Sequence, residues 1–345
     1  MRALTVLSVI AAAAAAAAVE LAGQQPGSRP SFLARAVSGE LRVLTFNIGD
    51  DMIFPDPGER INPWGLDGPS RFFRMARAVQ PDVLCFQEAT VGSERAIDLM
   101  NEVMPLGEGA SWYAHHAVDD VIVSRFPLSM LAGGIVEEGT KRRGHAMALV
   151  DLPDASYDRD LYVVCVHNQS GAGPLNIALR QRQADIIARW VRDAKSPGGS
   201  VTLRPGTPMV ILGDMNVIDD PALYLRTLLT GDIADERQFG PDFHPDWDGT
   251  DLTDASPSHN GAGRVFYTWR DDTQRFPPGA LDRVLYTDSV LEAVNSFILN
   301  TAAMSKAELR EAGMQRKDGH RDPRRDIHDH FPVVVDFVVR PRGTK

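Results

Sequence analysis

Eight short apolar runs recur along the chain, and they constrain its fold more than any other feature. Each spans six to nine residues and is rich in valine, isoleucine and leucine, as strands buried on both faces of a sheet are. The sequence therefore predicts a core of at least eight strands. The runs are RVLTFNI at 42–48, DVLCFQE at 82–88, DVIVSRF at 120–126, AMALVDL at 146–152, LYVVCVHN at 161–168, PMVILGDMN at 208–216, DRVLYT at 282–287 and PVVVDFVV at 332–339.

Helical patterns separate several of these strands. They cover residues 70–79, 92–104 and 176–194, and the last of them carries its apolar residues on one stripe. Other strands follow one another directly. An order that mixes βα units with direct strand connections predicts the α/β class, with two packed mixed β-sheets flanked by helices in one domain.

The first 23 residues have the pattern of a secretory signal peptide. Arg2 precedes an alanine-rich apolar run from Ala3 to Val19, and small residues follow it. Because this run is short for a membrane span of about 20 residues, we expect cleavage and export to the periplasm or the medium rather than an uncleaved anchor. Residues 24–40 are polar and predict a linker, so the folded domain is predicted to span 41–340.

The formal net charge is −10, from 36 Lys and Arg against 46 Asp and Glu. An acidic chain of this kind is disfavoured as a broad, non-specific binder of nucleic acid, although a local basic patch stays open. Cys85 and Cys165 both lie in predicted core strands, where a free thiol behaves as a small apolar group. Buried free thiols are expected, and a disulfide between the two strands is left open.

Polar residues of the same chemical type stand at the ends of the predicted strands. A single carboxylate at such a position is usually a turn or cap residue. So many together are better explained by a shared site at one edge of the sheets. Asn47 closes the first strand, Glu88 the second, His167 and Asn168 the fifth, and Asp214 and Asn216 the sixth, while Asp282 opens the seventh and Asp329 and His330 precede the last.

Carboxylates, amides and imidazoles supply what phosphoryl transfer to water requires. They offer oxygen ligands for a hard cation, donors for phosphate oxygens and a group that orients water. Mg²⁺ is the expected metal, whereas zinc is disfavoured because the sequence has neither an HExxH pattern nor a cysteine cluster. A GxSxG elbow and a P-loop are also missing, so neither a serine nucleophile nor a nucleotide cofactor is expected.

The motifs themselves resemble those of the endonuclease/exonuclease/phosphatase superfamily, the group with the pancreatic deoxyribonuclease-like fold. The resemblance follows the family's order over nearly the whole of 41–340, and GDMN and DHFPV are its most specific motifs. It implies a four-layer α/β sandwich, an active site at one edge of the two sheets, and Mg²⁺ or Mn²⁺ as cofactor. The series is TFNI, VLCFQEA, VSRFP, CVHN, ILGDMN, LDRVLY and HDHFPV.

The resemblance also implies roles for single residues. Glu88 corresponds to the principal metal ligand, with Asn47 and Asp329 beside it, directly or through water. Asp214 corresponds to the residue that orients or deprotonates the attacking water, and Asn216 to an amide that contacts the phosphate.

Two histidines complete the predicted site. His330 corresponds to the histidine that stabilises the pentacovalent phosphate, held in one tautomer by Asp282, which requires a hydrogen bond between them. His167 corresponds to a phosphate contact or a general acid for the leaving oxygen. The branch that resembles abasic-site endonucleases usually has tyrosine there, so His167 favours the deoxyribonuclease-like and sphingomyelinase-like branches.

Other residues are weaker candidates for phosphate binding. His328 stands where serine is common in the family, and is either an additional phosphate contact or a surface residue. Arg324 and Arg325 end a basic insertion that leads into the Asp-His motif, and Asn168 follows His167. The sequence only partly resembles the inositol-polyphosphate phosphatase signature around Asp282, because the expected Trp and Cys are absent.

The polar insertions at 195–207, 231–264 and 300–328 are expected to carry specificity. Phe239, Phe243 and Trp247 lie in the second of them and are expected to be buried within it rather than to touch a lipid or a base.

Three functions remain open on the sequence: a secreted nuclease, a phosphatase or phospholipase-C-like enzyme acting on a small or lipid phosphate, and, least favoured, a non-catalytic binding module. The expected substrate is a phosphoester, either nucleic acid or a lipid or small-molecule phosphate, and a monomer is expected.

Overall fold

The computed structural model describes residues 30–37, 39–133, 143–218, 222–319 and 329–341. Within these residues the chain forms two six-stranded mixed sheets. No helix in this part of the chain is long and apolar enough to cross a membrane.

The first sheet has the strand order β11-β12-β1-β2-β4-β3, and the second has the order β5-β6-β7-β8-β10-β9. Each sheet contains one parallel pair, β1 with β2 and β7 with β8, and its other neighbours are antiparallel. The strands are β1 (Leu41–Asn47), β2 (Val83–Gln87), β3 (Tyr113–Ala117), β4 (Asp120–Ser124), β5 (Leu128–Gly133), β6 (His145–Val150), β7 (Leu161–His167), β8 (Met209–Asp214), β9 (Thr253–Asp254), β10 (Asp282–Tyr286), β11 (Leu291–Ile298) and β12 (Val333–Val339).

Six α-helices are described, and the longest begins with a proline, which suits the first turn because it needs no backbone N–H partner. Two short 3₁₀ turns lie at Ser31–Leu33 and Thr301–Ala303. The helices are α1 (Gly68–Val79), α2 (Ser93–Val103), α3 (Pro174–Ala194), α4 (Leu223–Thr230), α5 (Glu236–Phe239) and α6 (Lys306–Ala312).

Three apolar layers hold these elements together. The central layer lies between the two sheets and contains residues such as Val43 and Val163. A second layer packs α1 and α2 on the outer face of the first sheet, and a third packs α3 and α4 on the outer face of the second. This arrangement is a four-layer α/β sandwich, and it confirms the predicted fold class.

All eight predicted strands and the three predicted helices are present, with ends that differ by at most a few residues. The predicted linker differs from the structure in its last part. Leu33 is fully buried in the core, and its carbonyl accepts a hydrogen bond from Arg42. Residues around Ser31–Leu33 therefore belong to the packed domain.

The two cysteines are buried free thiols on facing strands β2 and β7. Gln87 Nε2 donates a hydrogen bond to Cys165 Sγ at 3.2 Å, and burial raises the pKa of the Cys165 thiol well above its usual range. Phe239 is buried as expected, while Phe243 and Trp247 are partly buried against the core, and Trp247 Nε1 donates to the Thr207 carbonyl.

Candidate active site

Strand register brings the predicted site residues to one edge of the sandwich. In the second sheet Asp214 is paired with His167 on one side and with Asp282 on the other. In the first sheet Asn47 pairs with Gln87, and Glu88 follows directly. Because β1, β2, β7 and β8 end here and β10 begins here, the polar strand ends predicted from the sequence meet in one place.

The backbone at this edge is tightly constrained. Gly213 has φ +144°, and a Cβ there would lie 2.0 Å from the Val166 carbonyl oxygen, so only glycine fits before Asp214. Glu88 has φ 59°, an uncommon value for a residue with a side chain. It is held by a hydrogen bond from Asp51 N to its carbonyl, at 3.0 Å. An outlier of this kind is typical of functional positions.

The carboxylate of Asp214 is the centre of the site. Asn47 Nδ2 donates to Asp214 Oδ2 at 3.1 Å, and the same oxygen lies 3.6 Å from His167 Nε2 and 3.7 Å from His330 Nε2. The other oxygen accepts a hydrogen bond from Asn216 N at 2.9 Å. Two imidazoles therefore flank one buried carboxylate oxygen.

Asp282 and His330 lie in hydrogen-bonding contact, with 2.9 Å between Asp282 Oδ2 and His330 Nδ1. Burial alone would lower the pKa of His330. Attraction to Asp282 and Asp214 and the hydrogen bond to Asp282 outweigh that effect and raise the pKa to about 10. The imidazole is therefore a cation at neutral pH, with Nε2 turned toward Asp214.

His167 has a carboxylate partner of its own. Its Nδ1 lies 2.9 Å from Asp119 Oδ2, and Arg143 donates to that same oxygen at 3.2 Å and lies 2.7 Å from Nδ1. Burial alone would raise the pKa of Asp119, but the hydrogen bond with His167 and the charges of His167 and Arg143 hold it below its ordinary value. The Nε2 atom of His167 is buried without a hydrogen-bond partner among the described residues.

The predicted metal ligands lie around the same edge. Glu88 is a quarter exposed, and its Oε1 accepts from Asn47 Nδ2 at 3.2 Å. Asn47 Oδ1 instead accepts from Gly49 N at 3.1 Å, so this amide presents its nitrogen to the carboxylates. Asp329 lines the same cleft, and its Oδ2 accepts from Trp269 Nε1 at 2.9 Å. Glu88 and Asp329 thus each bring to the cleft a carboxylate, the ligand type that a hard cation prefers.

A second group of potential ligands is formed by Asp214, Asp282 and His330, whose ligand atoms lie within 4.8 Å of one another. The hydrogen bond between Asp282 and His330 occupies the Nδ1 atom of that ring. Among the described residues, this group is one place where carboxylate and imidazole atoms lie close enough to share a metal ion.

The phosphate-binding candidates differ in their positions. Asn216 lines the cleft, and its Nδ2 donates to the Asn168 carbonyl at 3.0 Å. Asn168 itself is fully buried, and its Nδ2 donates to the Met215 carbonyl. Its side chain does not line the cleft, and its role is to hold Asn216 through its main-chain carbonyl. His328, Arg324 and Arg325 lie outside the described residues.

Asp119, Arg143 and Trp269 were not singled out from the sequence, although each contacts a predicted site residue. Asp119 precedes β4 in a short turn, and Arg143 belongs to the polar run KRRG. Neither pattern differs from that of an ordinary surface turn. Of the three, only Trp269 could have been singled out from the sequence, because a tryptophan in a polar loop is unusual.

These residues open into a cleft of about 470 Å³. Its lining combines the polar strand ends with residues of the segment from Trp269 to Leu281. Its lining residues are Glu88, Arg143, Ser170, Gly171, Ala172, Asp214, Asn216, Val217, Ile218, Trp269, Asp271, Gln274, Phe276, Pro277, Pro278, Gly279, Leu281, Asp329 and His330.

This fold and this set of residues define a metal-dependent hydrolase of phosphoester bonds. A model of the Endonuclease/Exonuclease/phosphatase family matches residues 44–303, and the chain belongs to that family. No curated protein matches the chain in sequence.

Solved structures with the same fold include the human Nocturnin catalytic domain, with a TM-score of 0.51, 14% identity and coverage of 88% of this chain and 96% of that one. TDP2 from C. elegans has a TM-score of 0.52 and 16% identity, with 88% and 76% of the two chains covered. A mannosyl-6-phosphatase of Bacteroides thetaiotaomicron has a TM-score of 0.50 and 14% identity, with 86% and 99% covered. At these identities the likeness establishes a shared fold.

Proposed function

We propose that this protein is an exported, Mg²⁺- or Mn²⁺-dependent phosphoesterase that hydrolyses phosphodiester bonds by direct attack of water. One observation carries the proposal. Two imidazoles, each backed by a carboxylate at 2.9 Å, are turned toward the same oxygen of Asp214. A structural role would not require two such pairs at one carboxylate.

In this proposal Glu88 and Asp329 would hold the divalent cation, and Asn47 orients the Glu88 carboxylate through its amide nitrogen. The bound cation would polarise the phosphoryl oxygen and offset the charge that develops on it. Oxygen ligands with room for several waters suit Mg²⁺ or Mn²⁺ better than zinc.

Asp214 acts on the attacking water. Asn47 and Asn216 each donate a hydrogen bond to its carboxylate, which fixes the direction of its oxygens. Because Asp214 lines the cleft, Oδ2 is placed to accept a proton from water near the phosphorus.

Positive charge for the phosphoryl group comes from His330 and Arg143. Both line the cleft, and the hydrogen bond to Asp282 fixes the His330 ring in one orientation. Such preorganised donors stabilise the additional negative charge of a pentacovalent phosphate. His167 is more deeply buried, and we propose that it donates a proton toward the leaving oxygen, with Asp119 holding its ring.

A phosphomonoesterase or a phospholipase-C-like enzyme is the second candidate. The fold relatives include a phosphatase as well as TDP2 and Nocturnin, so the fold alone does not discriminate. The small number of cations in the described cleft favours a substrate with few phosphates.

The proposal is tested by assaying the purified protein on bis-p-nitrophenyl phosphate with and without Mg²⁺ or EDTA. We expect activity only with the metal, and a loss of roughly 10²- to 10⁴-fold in Asp214→Asn, because an amide cannot accept the proton. Asp251→Asn changes an exposed residue in the same way and should behave as the parent. Full activity in excess EDTA would overturn the metal-dependent mechanism.

Export requires a separate test. Expression of the full chain in a bacterial host, followed by fractionation and N-terminal sequencing, should yield a mature protein that begins near Gln24. An intact Met1 terminus in the cytoplasmic fraction would contradict it.

A further inference from the structure

We infer that the cleft selects a monomeric phosphoester whose organic group is a flat, uncharged aromatic ring, and that Trp269 and Phe276 form the wall against which this ring packs. This inference rests on the proposed function and adds a substrate class to it. It is carried by the lining of the cleft, by the hydrogen bonds that fix the base of one wall and by the balance of charges around it.

The apolar wall is one continuous segment. Among the lining residues it contributes the apolar Trp269, Phe276, Pro277, Pro278 and Leu281, together with Asp271, Gln274 and Gly279. The catalytic carboxylates and His330 line the same cleft. A phosphoryl group held at these residues therefore places its organic group within reach of the apolar segment.

The base of this wall is fixed to the catalytic residues. Trp269 N donates to the Gly279 carbonyl at 3.0 Å, and Gly279 N donates back to the Trp269 carbonyl at 3.1 Å, which closes the loop between them. Trp269 also pairs with His330 as an isolated bridge, and its Nε1 holds Asp329. The wall is thus positioned by the same contacts that position the site.

Phe276 is 44% exposed in the free protein. Apolar surface left open next to a polar site is typical of a ligand pocket, where a few polar groups orient the ligand and apolar groups supply area. An aromatic ring that packs there removes its own apolar surface and that of Phe276 from water, and the contact between the two rings adds to the binding free energy.

The charges around the cleft argue against a polymer. Its described lining has four carboxylates, from Glu88, Asp214, Asp271 and Asp329, against two positively charged side chains, Arg143 and His330. A protein that follows a nucleic-acid backbone needs several cations along it.

The described part of the basic insertion does not supply them. Arg316 is turned back to the carbonyls of Ala302 and Met304. The nearby Asp318 forms a buried ion pair with Arg74. No residue of the insertion between 304 and 319 lines the cleft.

A cleft of about 470 Å³ is the size of a site for one small ligand. The volume, the apolar wall and the acidic lining of the cleft therefore all favour a substrate with a single phosphoester unit and one compact ring. A ring without charge suits this wall, because Asp271 is the one charged residue that the segment adds to the described lining and its Oδ1 already accepts hydrogen bonds from Thr273.

Binding of two phosphonates, which cannot be hydrolysed because carbon replaces the ester oxygen, tests this directly. With Mg²⁺ present, we expect phenylphosphonate to bind the full protein about tenfold more tightly than methylphosphonate by calorimetry. Phe276→Ser should reduce this ratio to below about threefold by weakening phenylphosphonate binding alone. Equal affinities in the parent protein would overturn the inference.

Phe266→Ser is the matched control, because Phe266 is an exposed phenylalanine close in sequence that does not line the cleft. It should keep the tenfold ratio. A parallel loss in Phe266→Ser and Phe276→Ser would show a general effect on the loop and would also overturn the inference.

Measuring hydrolysis of several substrates distinguishes a failure of this inference from a failure of the proposed function. Aryl phosphoesters should be hydrolysed with a higher kcat/KM than plasmid DNA, single-stranded DNA or sphingomyelin vesicles, and a preference for a polymer or a lipid surface would contradict the inference. Absence of turnover on every phosphoester, with selective phenylphosphonate binding retained, would instead reject the proposed function and support the aromatic wall.

Discussion

His330 Nδ1 lies 2.9 Å from Asp282 Oδ2, although the two residues are 48 positions apart in the chain. Asp282 opens β10, and its N–H donates to Thr268 Oγ1, while Phe331 N donates to the Thr268 carbonyl. One threonine thus connects the backbones beside both members of the pair. The carboxylate and the imidazole are therefore held together before substrate binds.

This pair should behave as one unit in catalysis. We expect His330→Ala to lower kcat roughly 10²- to 10³-fold, because it removes a fixed cation from the phosphoryl group. Adding Asp282→Asn to that variant should cost little more, since the carboxylate acts through the imidazole.

A double-mutant cycle on kcat measures this coupling, with folding checked by circular dichroism. Additive losses would show that Asp282 and His330 act independently. Equal losses in kcat and in folded fraction would show that the pair is structural.

Glu88 should control the response to metal. Glu88→Gln keeps the shape of the side chain but removes its charge, so we expect the metal concentration for half-maximal activity to rise about tenfold or more. Glu94→Gln makes the same change at an exposed position in α2 and should leave the metal titration unaltered. The measurement is activity against Mg²⁺ concentration, and an unchanged curve for Glu88→Gln would remove it from the metal site.

The strands predicted from the sequence are the central ones. They are buried on both faces and so appear as continuous apolar runs. Each of the four strands that were not predicted, β3, β5, β9 and β11, lies at the edge of a sheet. Edge strands face solvent, and β3, with the sequence YAHHA, is mostly exposed or half-buried. Hydrophobic periodicity therefore does not reveal them.

The same distinction applies to the site. Glu88, Asp214 and His330 adjoin buried strands, where a polar residue is conspicuous. Asp119 and Arg143 lie in polar turns, where such residues are common, and only the folding of the turns against β7 brings them to His167.

Arg143 should be required as a guanidinium, since Nη1 makes its contacts with Asp119, His167 and Glu88 while Nη2 donates to Ser170 Oγ at 3.5 Å. It donates to Asp119 Oδ2 and approaches both His167 and Glu88. We expect Arg143→Met to lower kcat/KM about 10²-fold or more, and Arg143→Lys to recover only part of this, because lysine lacks the guanidinium geometry. Arg237→Met, at an exposed position, is the control. Full activity in Arg143→Lys would show that charge alone suffices.

His145 should make the fold sensitive to acid. The residue begins β6, is buried, and its Nδ1 has no hydrogen-bond partner among the described residues. Burial lowers its pKa from the ordinary 6.5 to about 4, with the charge of Asp119 opposing and that of His167 adding to the effect. The folded protein therefore keeps this imidazole neutral under conditions where the unfolded chain binds a proton.

The direction of the pH effect follows from this difference. Above pH 6.5 the imidazole is neutral in both states, and the full stability is present; as the pH falls from 6.5 toward 4 the unfolded chain gains a proton first, and roughly 3 kcal/mol of unfolding free energy is lost. His145→Gln cannot be protonated, so its stability should depend less steeply on pH in this window. His244→Gln, at an exposed position, should retain the parent slope. Urea unfolding between pH 4 and pH 7 measures the slopes, and identical slopes for His145→Gln and the parent would show that other groups cause the acid sensitivity.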